Sequence, residues 1–465
     1  MFASITALCK TFPASLGIRG DADIDRRARP SGHRLARAVA ERLGWTQAEQ
    51  ATETLTTPDD PNPAFVPETF LLDLLSHCAK RPCPSLSAGD WARVVALART
   101  QRVLPCLEPA LGPAGLKLPC ALAPARETRR AWQMRALALQ AEALRVHTLL
   151  HAAGIAHVFL KGIVLAALAY PDPSMRQMRD LDVLVRPEDL ARARALLAEA
   201  GGEMQHFAHK PPLPSDDVAK HATPVWSPRQ VVAVELHAHL TPPFQALDLT
   251  AFALFEHDIW ARLGAVRIGG AALPCLAPED MCLHLVMHGL YDHELNNGPV
   301  FVTDLLYLLR AVPLDGAEVE CRAERLGIAE GLALSLSLLP SDVPAARGFR
   351  PARMALPRDL AAALMFQDGR FRTELRLSAD LAERGALARL QLLLRKVFAP
   401  RHVMLDRWRK ERDADSAPPA LPWLWLWFLR TRHRQMQTVQ GAASPFSATL
   451  RQHLLTLRAL RASRR

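Results

Sequence analysis

The sequence predicts a mixed α/β core that lies between two helical regions. Apolar residues recur at helical spacing from about Glu68 to Leu150, and the pattern changes to short strands and helices at Ile155. Helical spacing returns from Pro278 to about Lys396. Leucine, alanine and arginine are abundant, whereas tyrosine occurs only 3 times, and this composition favours helices over an all-β fold.

The first helical region contains three amphipathic segments, TFLLDLLSHCA, DWARVVALARTQRVLPCL and RAWQMRALALQAEALRVHTLLHAAG. Asp90 is predicted to cap one of these helices, and Gly154 is predicted to end the last. Residues 1–66 are rich in Arg, Pro, Asp and Thr, and we predict that they form a mobile arm.

The core begins with IAHVFLKG, a predicted strand that ends at Gly162, and IVLAALAY follows as a short helix. After the PDPS turn, DLDVLV is a second strand and PEDLARARALLAEAGG a helix, with Pro187 in its first turn and Gly201 after its last. Residues 220–240 predict a hairpin of KHATPVW, a turn at SPRQ, and VVAVELHAHL.

Two of these strands combine an apolar face with an acidic one. Side chains alternate along a strand, so Asp180 and Asp182 share one face of DLDVLV, and Glu235 and His237 share one face of VVAVELHAHL. Clustered carboxylates repel one another, and a divalent cation removes the repulsion. Mg²⁺, or Mn²⁺ in its place, binds to one or two carboxylates together with substrate phosphates. The pattern therefore predicts metal ligands.

The order of motifs resembles a known group of enzymes. LKG before a helix, a Y-P-x-P-x-x-R turn, D-L-D-V-L-V, a helix ending in Gly-Gly and a later V-E-L-H resemble the uncharacterised bacterial branch of the nucleotidyltransferase superfamily. The resemblance extends over residues 68–310, including the H-x-x-x-H and D-L-L-Y-L-L helices. It implies an α/β (α+β) fold, with a polymerase-β-like nucleotidyltransferase core whose mixed sheet is flanked by helical regions.

The resemblance also implies roles for individual residues. Asp180 and Asp182 would bind a metal pair, with Glu235 as the third catalytic carboxylate. Lys161 and Gly162 stand where the superfamily usually has Gly-Ser, in the turn that holds the triphosphate of the NTP substrate.

Two further residues complete the implied site. Arg176 matches the basic residue before the aspartates and would contact phosphate oxygens, and His237 would orient Glu235 or contact the substrate. Ile163 replaces the small hydroxyl residue that usually follows the glycine, so an inactive member of the superfamily stays an alternative.

The predicted domain organisation has five parts. They are the mobile N-terminal arm (1–66), an N-terminal helical region (67–150), the nucleotidyltransferase core (151–275), a C-terminal helical region (276–398) and a basic, Trp-rich tail (399–465).

Three other polar features have competing interpretations. His284 and His288 lie one helical turn apart, a spacing that could bind zinc, but the glutamate of H-E-x-x-H is absent. Packing on a helix face, or support of the site residues from behind, is favoured instead. His239 shares the Glu235 face, and a structural role is equally consistent with its position. Asp304 is expected to act in the first turn of a helix, or to support the site, rather than to bind metal.

The positive charge is concentrated in the tail. The chain has a net charge of +10, and residues 395–465 contribute 15 Arg/Lys against 4 Asp/Glu. Trp423, Trp425 and Trp427 lie among these cations. This combination suits an anionic membrane surface or an acidic partner, and nucleic acid less well. Inward packing of the tryptophans beside a solvated basic face is the alternative.

The cysteines and apolar runs bear on location. The 8 cysteines are scattered without a C-x-x-C pair, and we see no signal peptide. LPWLWLWFL is too short to span a bilayer. We therefore expect a cytoplasmic protein, with peripheral contact at the inner membrane through the tail.

The sequence leaves two functions open. One is Mg²⁺-dependent transfer of a nucleoside monophosphate from an NTP to an unidentified acceptor hydroxyl. The other is a catalytically silent scaffold of the same fold that binds a partner or membrane surface through its tail.

Overall fold

The computed structural model describes the following parts of the chain: residues 65–76, 86–204, 222–228, 232–241, 249–340, 357–366, 385–399, 401–411 and 418–441, and five single residues beyond 340. The predicted N-terminal arm lies outside the described residues apart from Phe65 and Val66. Residues 51–465 group into one compact unit by their internal contacts. The domain boundaries drawn inside that unit stay a prediction.

The N-terminal region is helical, as the spacing of apolar residues predicts. Its helices α1 to α4 are Pro67–Leu75, Ala88–Thr100, Leu104–Leu111 and Arg126–Ala152. The prediction that Asp90 caps α2 is wrong, because Ser87 is the N-cap residue. The Ser87 hydroxyl accepts a hydrogen bond from the Asp90 backbone N–H at 3.1 Å and donates one to Asp90 Oδ2 at 2.9 Å. Asp90 is thus the third residue of the helix, and both its backbone N–H and its carboxylate bind the hydroxyl of the cap residue.

The core is a mixed sheet of seven strands in the order β3-β4-β5-β2-β1-β7-β6. The strands β1 to β7 are His157–Phe159, Asp180–Val185, Glu203–Met204, Val225–Trp226, Ala233–His237, Gly264–Ile268 and Ala271–Cys275. β2 pairs with β5 and β1 with β7 in parallel, and the other neighbours are antiparallel. The predicted α/β fold and the β4–β5 hairpin are confirmed.

Short helices connect the strands. α5 (Gly162–Leu168) follows β1, α6 (Leu190–Glu199) follows β2, and α7 (Leu249–Ile259) precedes β6. β1 ends at Phe159, and Gly162 starts α5 rather than ending the strand. α4 packs against β1, β2 and β7, so the N-terminal region covers part of the sheet.

Burial of one strand face supports the predicted alternation. Leu181, Val183 and Val185 of β2 have no exposed surface, and Val234 and Leu236 of β5 are each 1% exposed. Shifting either strand by one residue would turn these side chains away from the core, so their burial fixes the register.

Helices return after the sheet. α8 to α13 are Pro278–Val286, Val300–Ala311, Gly316–Arg325, Ala329–Ser337, Arg358–Met365 and Ala386–Val397, and a π-helical turn, Met287–Asp292, directly follows α8. The tail forms α14 (Arg401–Glu411) and α15 (Leu421–Gly441). None of the helices in the described part of the chain combines the length and apolar character needed to cross a bilayer.

Candidate active site

Strand pairing brings two of the predicted acids together. β2 and β5 are parallel neighbours, and their register places Asp182 opposite Glu235. Opposed side chains point to the same face of a sheet, so both carboxylates leave it on the same side. The buried apolar residues of the two strands therefore determine where these acids meet.

His237 joins the two acids. Its Nε2 lies 2.7 Å from Asp182 Oδ1 and 3.9 Å from Glu235 Oε2. One potential ligand atom from each of Asp182, Glu235 and His237 lies within 4.8 Å of the others. Two carboxylates with an imidazole nitrogen form a donor set that fits a divalent cation, and the carboxylates favour Mg²⁺ or Mn²⁺.

The two aspartates of β2 have pKa values shifted in opposite directions. Burial and the charge of Asp182 raise the pKa of Asp180 despite nearby cations. Burial would also raise the pKa of Asp182, but Lys161 and His237 outweigh it and hold this pKa well below its ordinary value. Asp182 is thus the ionised anchor of the site. Asp180 lies outside the three-residue group, and its carboxylate would gain most from an added cation.

The Lys161–Gly162 turn lies beside Asp182. The Leu160 N–H donates to Asp182 O at 3.0 Å, and Lys161 Nζ lies 3.4 Å from Asp182 Oδ2. Lys161 is 7% exposed and has a φ of 48°, a backbone conformation that is uncommon outside glycine. A Cβ at position 162 would lie 2.7 Å from Met178 Sδ, so any larger residue there would have to displace the Met178 side chain.

Arg176 is already engaged by a carboxylate. Its Nε and Nη2 donate to the two Asp304 oxygens at 2.7 and 2.9 Å, and its Nη1 donates to Gln177 O at 2.9 Å. The Tyr170 hydroxyl also donates to Asp304 Oδ1 at 2.7 Å. Burial alone would lower the pKa of Arg176, but Asp304 raises it above its ordinary value. Asp304 therefore supports the site through Arg176.

Two arginines from the N-terminal region reach the same site. Arg135 donates to Arg179 O at 2.7 Å and to Met178 O at 3.5 Å, which holds the chain just before Asp180. Arg102 follows α2 and is close enough to Asp180 for the two charges to attract. We did not identify either residue from the sequence. The sequence carries no local signal for either role, because both arginines lie in segments whose apolar residues have helical spacing.

The remaining histidines have structural partners. His239 Nδ1 lies 2.8 Å from Glu256 Oε2, and Glu256 Oε1 also accepts from the Leu240 N–H. His288 Nδ1 lies 3.5 Å from Asp292 Oδ2, in the π-helical turn. These contacts favour support of the loops around the sheet for both histidines.

His284 and His288 do not form a larger ligand group among the described residues. His284 is buried, and its ring centroid lies 6.2 Å from that of His288. Neither histidine belongs to a group of three potential ligands among the described residues. Helix packing, the favoured interpretation, fits this arrangement.

The mixed sheet, with acids on adjacent parallel strands, defines an α/β nucleotidyltransferase-type fold. A family model described as an uncharacterised nucleotidyltransferase matches residues 87–341, more than half of the chain. The chain belongs to this nucleotidyltransferase family and is a nucleotidyltransferase enzyme. The match includes every predicted site residue. A search of curated proteins found none that matches the chain.

Proposed function

We propose that the protein transfers a nucleoside monophosphate from an NTP to an acceptor hydroxyl, with Mg²⁺ or Mn²⁺. The observation that supports this most strongly is the opposed pair of Asp182 and Glu235, with His237 within 4.8 Å and Asp180 on the same strand. Nucleotidyl transfer develops negative charge on the attacking and leaving oxygens. Carboxylates that concentrate divalent cations are suited to that chemistry.

In the proposed reaction the acceptor oxygen forms a bond to the α-phosphorus of the NTP. The bond from that phosphorus to the oxygen bridging to the β-phosphorus breaks, and pyrophosphate leaves with the electron pair. Glu235 positions the acceptor hydroxyl or takes its proton. Asp180, Asp182 and Glu235 would hold the metal, which when bound neutralises charge on both oxygens. His237 keeps Asp182 in one orientation through its 2.7 Å hydrogen bond.

The phosphates of the NTP would lie against the turn at Lys161 and Gly162 and near Arg176. Lys161 Nζ lies 3.4 Å from Asp182 Oδ2. If Asp182 held a metal ion instead, the Lys161 ammonium group would be available to a phosphate oxygen. Gly162 allows the backbone of the turn to approach closely. In this scheme catalysis comes mostly from positioning and charge neutralisation.

Label transfer tests this function. The purified protein is incubated with each α-³²P-labelled NTP and with lysate components as acceptors, with Mg²⁺ or Mn²⁺ and with chelator. We expect label on at least one acceptor only when metal is present. Absence of transfer from every NTP with either metal would count against the function. A measurement of Mn²⁺ binding then separates the alternatives, because a silent scaffold has no reason to retain tight binding.

We further propose that the tail, residues 399–465, contacts an anionic membrane surface at the cytoplasmic face of the inner membrane. α14 and α15 pack through a small cluster of their own, formed by Met404, Trp408, Leu424 and Phe428. Trp423 on the outside of α15 is 66% exposed. An exposed indole among arginines suits a lipid headgroup region. An acidic protein partner is the alternative outcome of the vesicle experiment in the Discussion.

A further inference from the structure

The cations around Asp180 differ in whether they have a partner. Lys161 forms an ion pair with Asp182, and both oxygens of Asp304 are bound by Arg176. These two cations are therefore neutralised before any substrate binds. A phosphate that contacted either one would compete with an internal carboxylate.

Arg102 is the exception. Within the described part of the chain, its side chain makes no hydrogen bond and no ion pair. It interacts electrostatically with the cations Arg176 and Arg179 and with the acids Asp180 and Asp304. Cys106, four residues further along the chain, donates from Sγ to Met175 O at 3.5 Å, which places this segment beside the turn that carries Arg176. Burial, followed by these two arginines, lowers the pKa of Arg102 to about 10, so the guanidinium stays charged at neutral pH. A partly buried guanidinium with like charges nearby is a costly arrangement unless an anion joins it.

The backbone at Arg102 carries a further cost. Its φ of 61° is in the left-handed region, which glycine adopts freely and arginine rarely does. The conformation is held because the Arg102 N–H donates to Arg99 O at 3.0 Å and the Val103 N–H to Ala98 O at 2.9 Å, which ends α2. Glycine would suit this helix end better. Arginine at this position therefore costs stability relative to glycine. Its side chain forms no hydrogen bond with any described residue.

We propose that Arg102 binds the phosphate chain of the nucleotide, as the cation that the N-terminal helical region contributes to the active site. This inference rests on the proposed function. It assigns to Arg102 a contact with phosphate oxygens of the kind that the sequence predicts for Arg176. Arg176 instead holds the turn before Asp180 in place through Asp304. In this proposal the helical region that precedes the core contributes to the substrate site as well as sharing the apolar core. That region completes the substrate site.

The test uses inorganic tripolyphosphate, which carries the charge of the NTP without the base. Its binding to the full-length protein is measured by calorimetry with excess Mg²⁺, for wild type and for Arg102→Gln, Arg102→Lys and Arg102→Gly. Arg102→Gly removes the charge while relieving the left-handed backbone, so it should unfold no more easily than wild type. Arg99→Gln is the matched control, because Arg99 is exposed on the last turn of the same helix.

We expect Arg102→Gln and Arg102→Gly to weaken tripolyphosphate binding by about tenfold or more, because a charge-assisted hydrogen bond is lost. Arg102→Lys should retain part of the affinity, and Arg99→Gln should bind like wild type. Equal binding by wild type and both uncharged variants would overturn the role of Arg102, as would a wild type that binds no tripolyphosphate. The label-transfer assay judges the proposed function separately. If wild type transfers label but the Arg102 variants bind tripolyphosphate normally, the proposed function stands and the role of Arg102 fails. If tripolyphosphate binding depends on Arg102 but no label is transferred, the anion site stands and the proposed function fails.

Discussion

Asp182 and Glu235 face each other across the parallel strands β2 and β5, although 52 residues of sequence separate them in the chain. Their carboxylates share a face that the core does not need for packing, because Leu181 and Val234 at the neighbouring positions are buried on the other face. The arrangement places two carboxylates side by side, and packing of the apolar core requires neither of them. A function that binds cations accounts for it.

The first prediction concerns Glu235. We expect Glu235→Gln to lower turnover on the order of 100-fold or more and to weaken Mn²⁺ binding, because one metal-binding carboxylate is lost. The same change relieves repulsion in the metal-free protein, so its free energy of unfolding should be equal to or slightly above that of wild type. Transfer kinetics, metal titration and urea unfolding with chelator measure the three effects. Preserved turnover together with a clear loss of metal-free stability would instead mark Glu235 as a structural acid.

The second prediction concerns the Arg176–Asp304 pair, which joins the core to α9. Their side chains are 13% and 4% exposed, so removing one partner leaves a buried charge. We expect Arg176→Met and Asp304→Leu each to lower the free energy of unfolding by about 3 kcal/mol, and the double variant to lose clearly less than the sum. Urea unfolding of the four proteins gives the coupling.

A matched control is the exposed pair of Arg129 and Glu108, whose N–O distance is 2.6 Å and whose side chains are 43% and 37% exposed. Its coupling should be below about 1 kcal/mol, because solvent screens exposed ion pairs. A coupling at Arg176–Asp304 no larger than at this control pair would show that the buried pair does not hold the turn.

The third prediction is a pH dependence of stability. His157 Nδ1 lies 2.8 Å from Ile155 O and its Nε2 lies 2.8 Å from His147 Nδ1. Burial lowers the pKa of both histidines. A histidine with a lowered pKa binds fewer protons in the folded state, so its contribution is present above the unfolded pKa of about 6.5 and is lost as the pH falls. We expect His157→Asn to flatten the decrease in unfolding free energy between about pH 7.5 and pH 5.

His239 gives a comparison of opposite sign. The hydrogen bond to Glu256 raises the pKa of His239, so this group stabilises the fold at low pH and the effect is lost as the pH rises through its folded pKa. His239→Asn should therefore make the acid-side decrease steeper. If both variants changed the slope in the same direction, the assignment of the two shifts would be wrong.

The fourth prediction concerns the tail. Residues from Pro400 onward carry 13 Arg/Lys and 4 Asp/Glu, a net charge of +9, so a chain ending at Ala399 keeps about +1. We expect this truncated protein to stay folded, because α14 and α15 bury a cluster of their own, although Leu455 of the removed segment packs against the main core. It should lose co-sedimentation with acidic vesicles at low salt, since each basic residue contributes on the order of 1 kcal/mol at most and salt screens the attraction.

Neutral vesicles and high salt are the controls for the tail. If the full-length protein ignores acidic vesicles at low salt, the membrane proposal fails and an acidic protein partner becomes the account to pursue. An insoluble truncated protein would indicate that the tail is part of the structural core.

Local patterns in the sequence were sufficient to predict much of the fold. Alternation in DLDVLV and VVAVELH fixes which residues face the core, and Gly201 follows a helix end as predicted. These features depend on neighbours in the chain. The misplaced cap has the same local origin, since Ser87 and Asp90 are three residues apart and hydrogen-bonded to each other at the same helix end.

Contacts between distant segments could not be predicted in the same way. Arg176 binds a carboxylate 128 residues away, and Arg102 reaches Asp180 from a helix end before the core. The sequence shows which side chains are charged. It does not show which opposite charge each of them meets, because tertiary packing determines that. The sequence accordingly predicts Arg176 as a phosphate ligand, but it does not predict that Asp304 pairs with this arginine.

The most direct measurement compares label transfer from an α-³²P-labelled NTP by wild type and by the double variant Asp180→Asn with Asp182→Asn, each checked for folding by circular dichroism and urea unfolding. The amide that Asp182→Asn introduces can still form a hydrogen bond with His237, so the double variant should stay folded. We predict metal-dependent transfer by wild type and no transfer above background by the folded double variant. Transfer at the wild-type rate by the double variant would contradict the proposed mechanism.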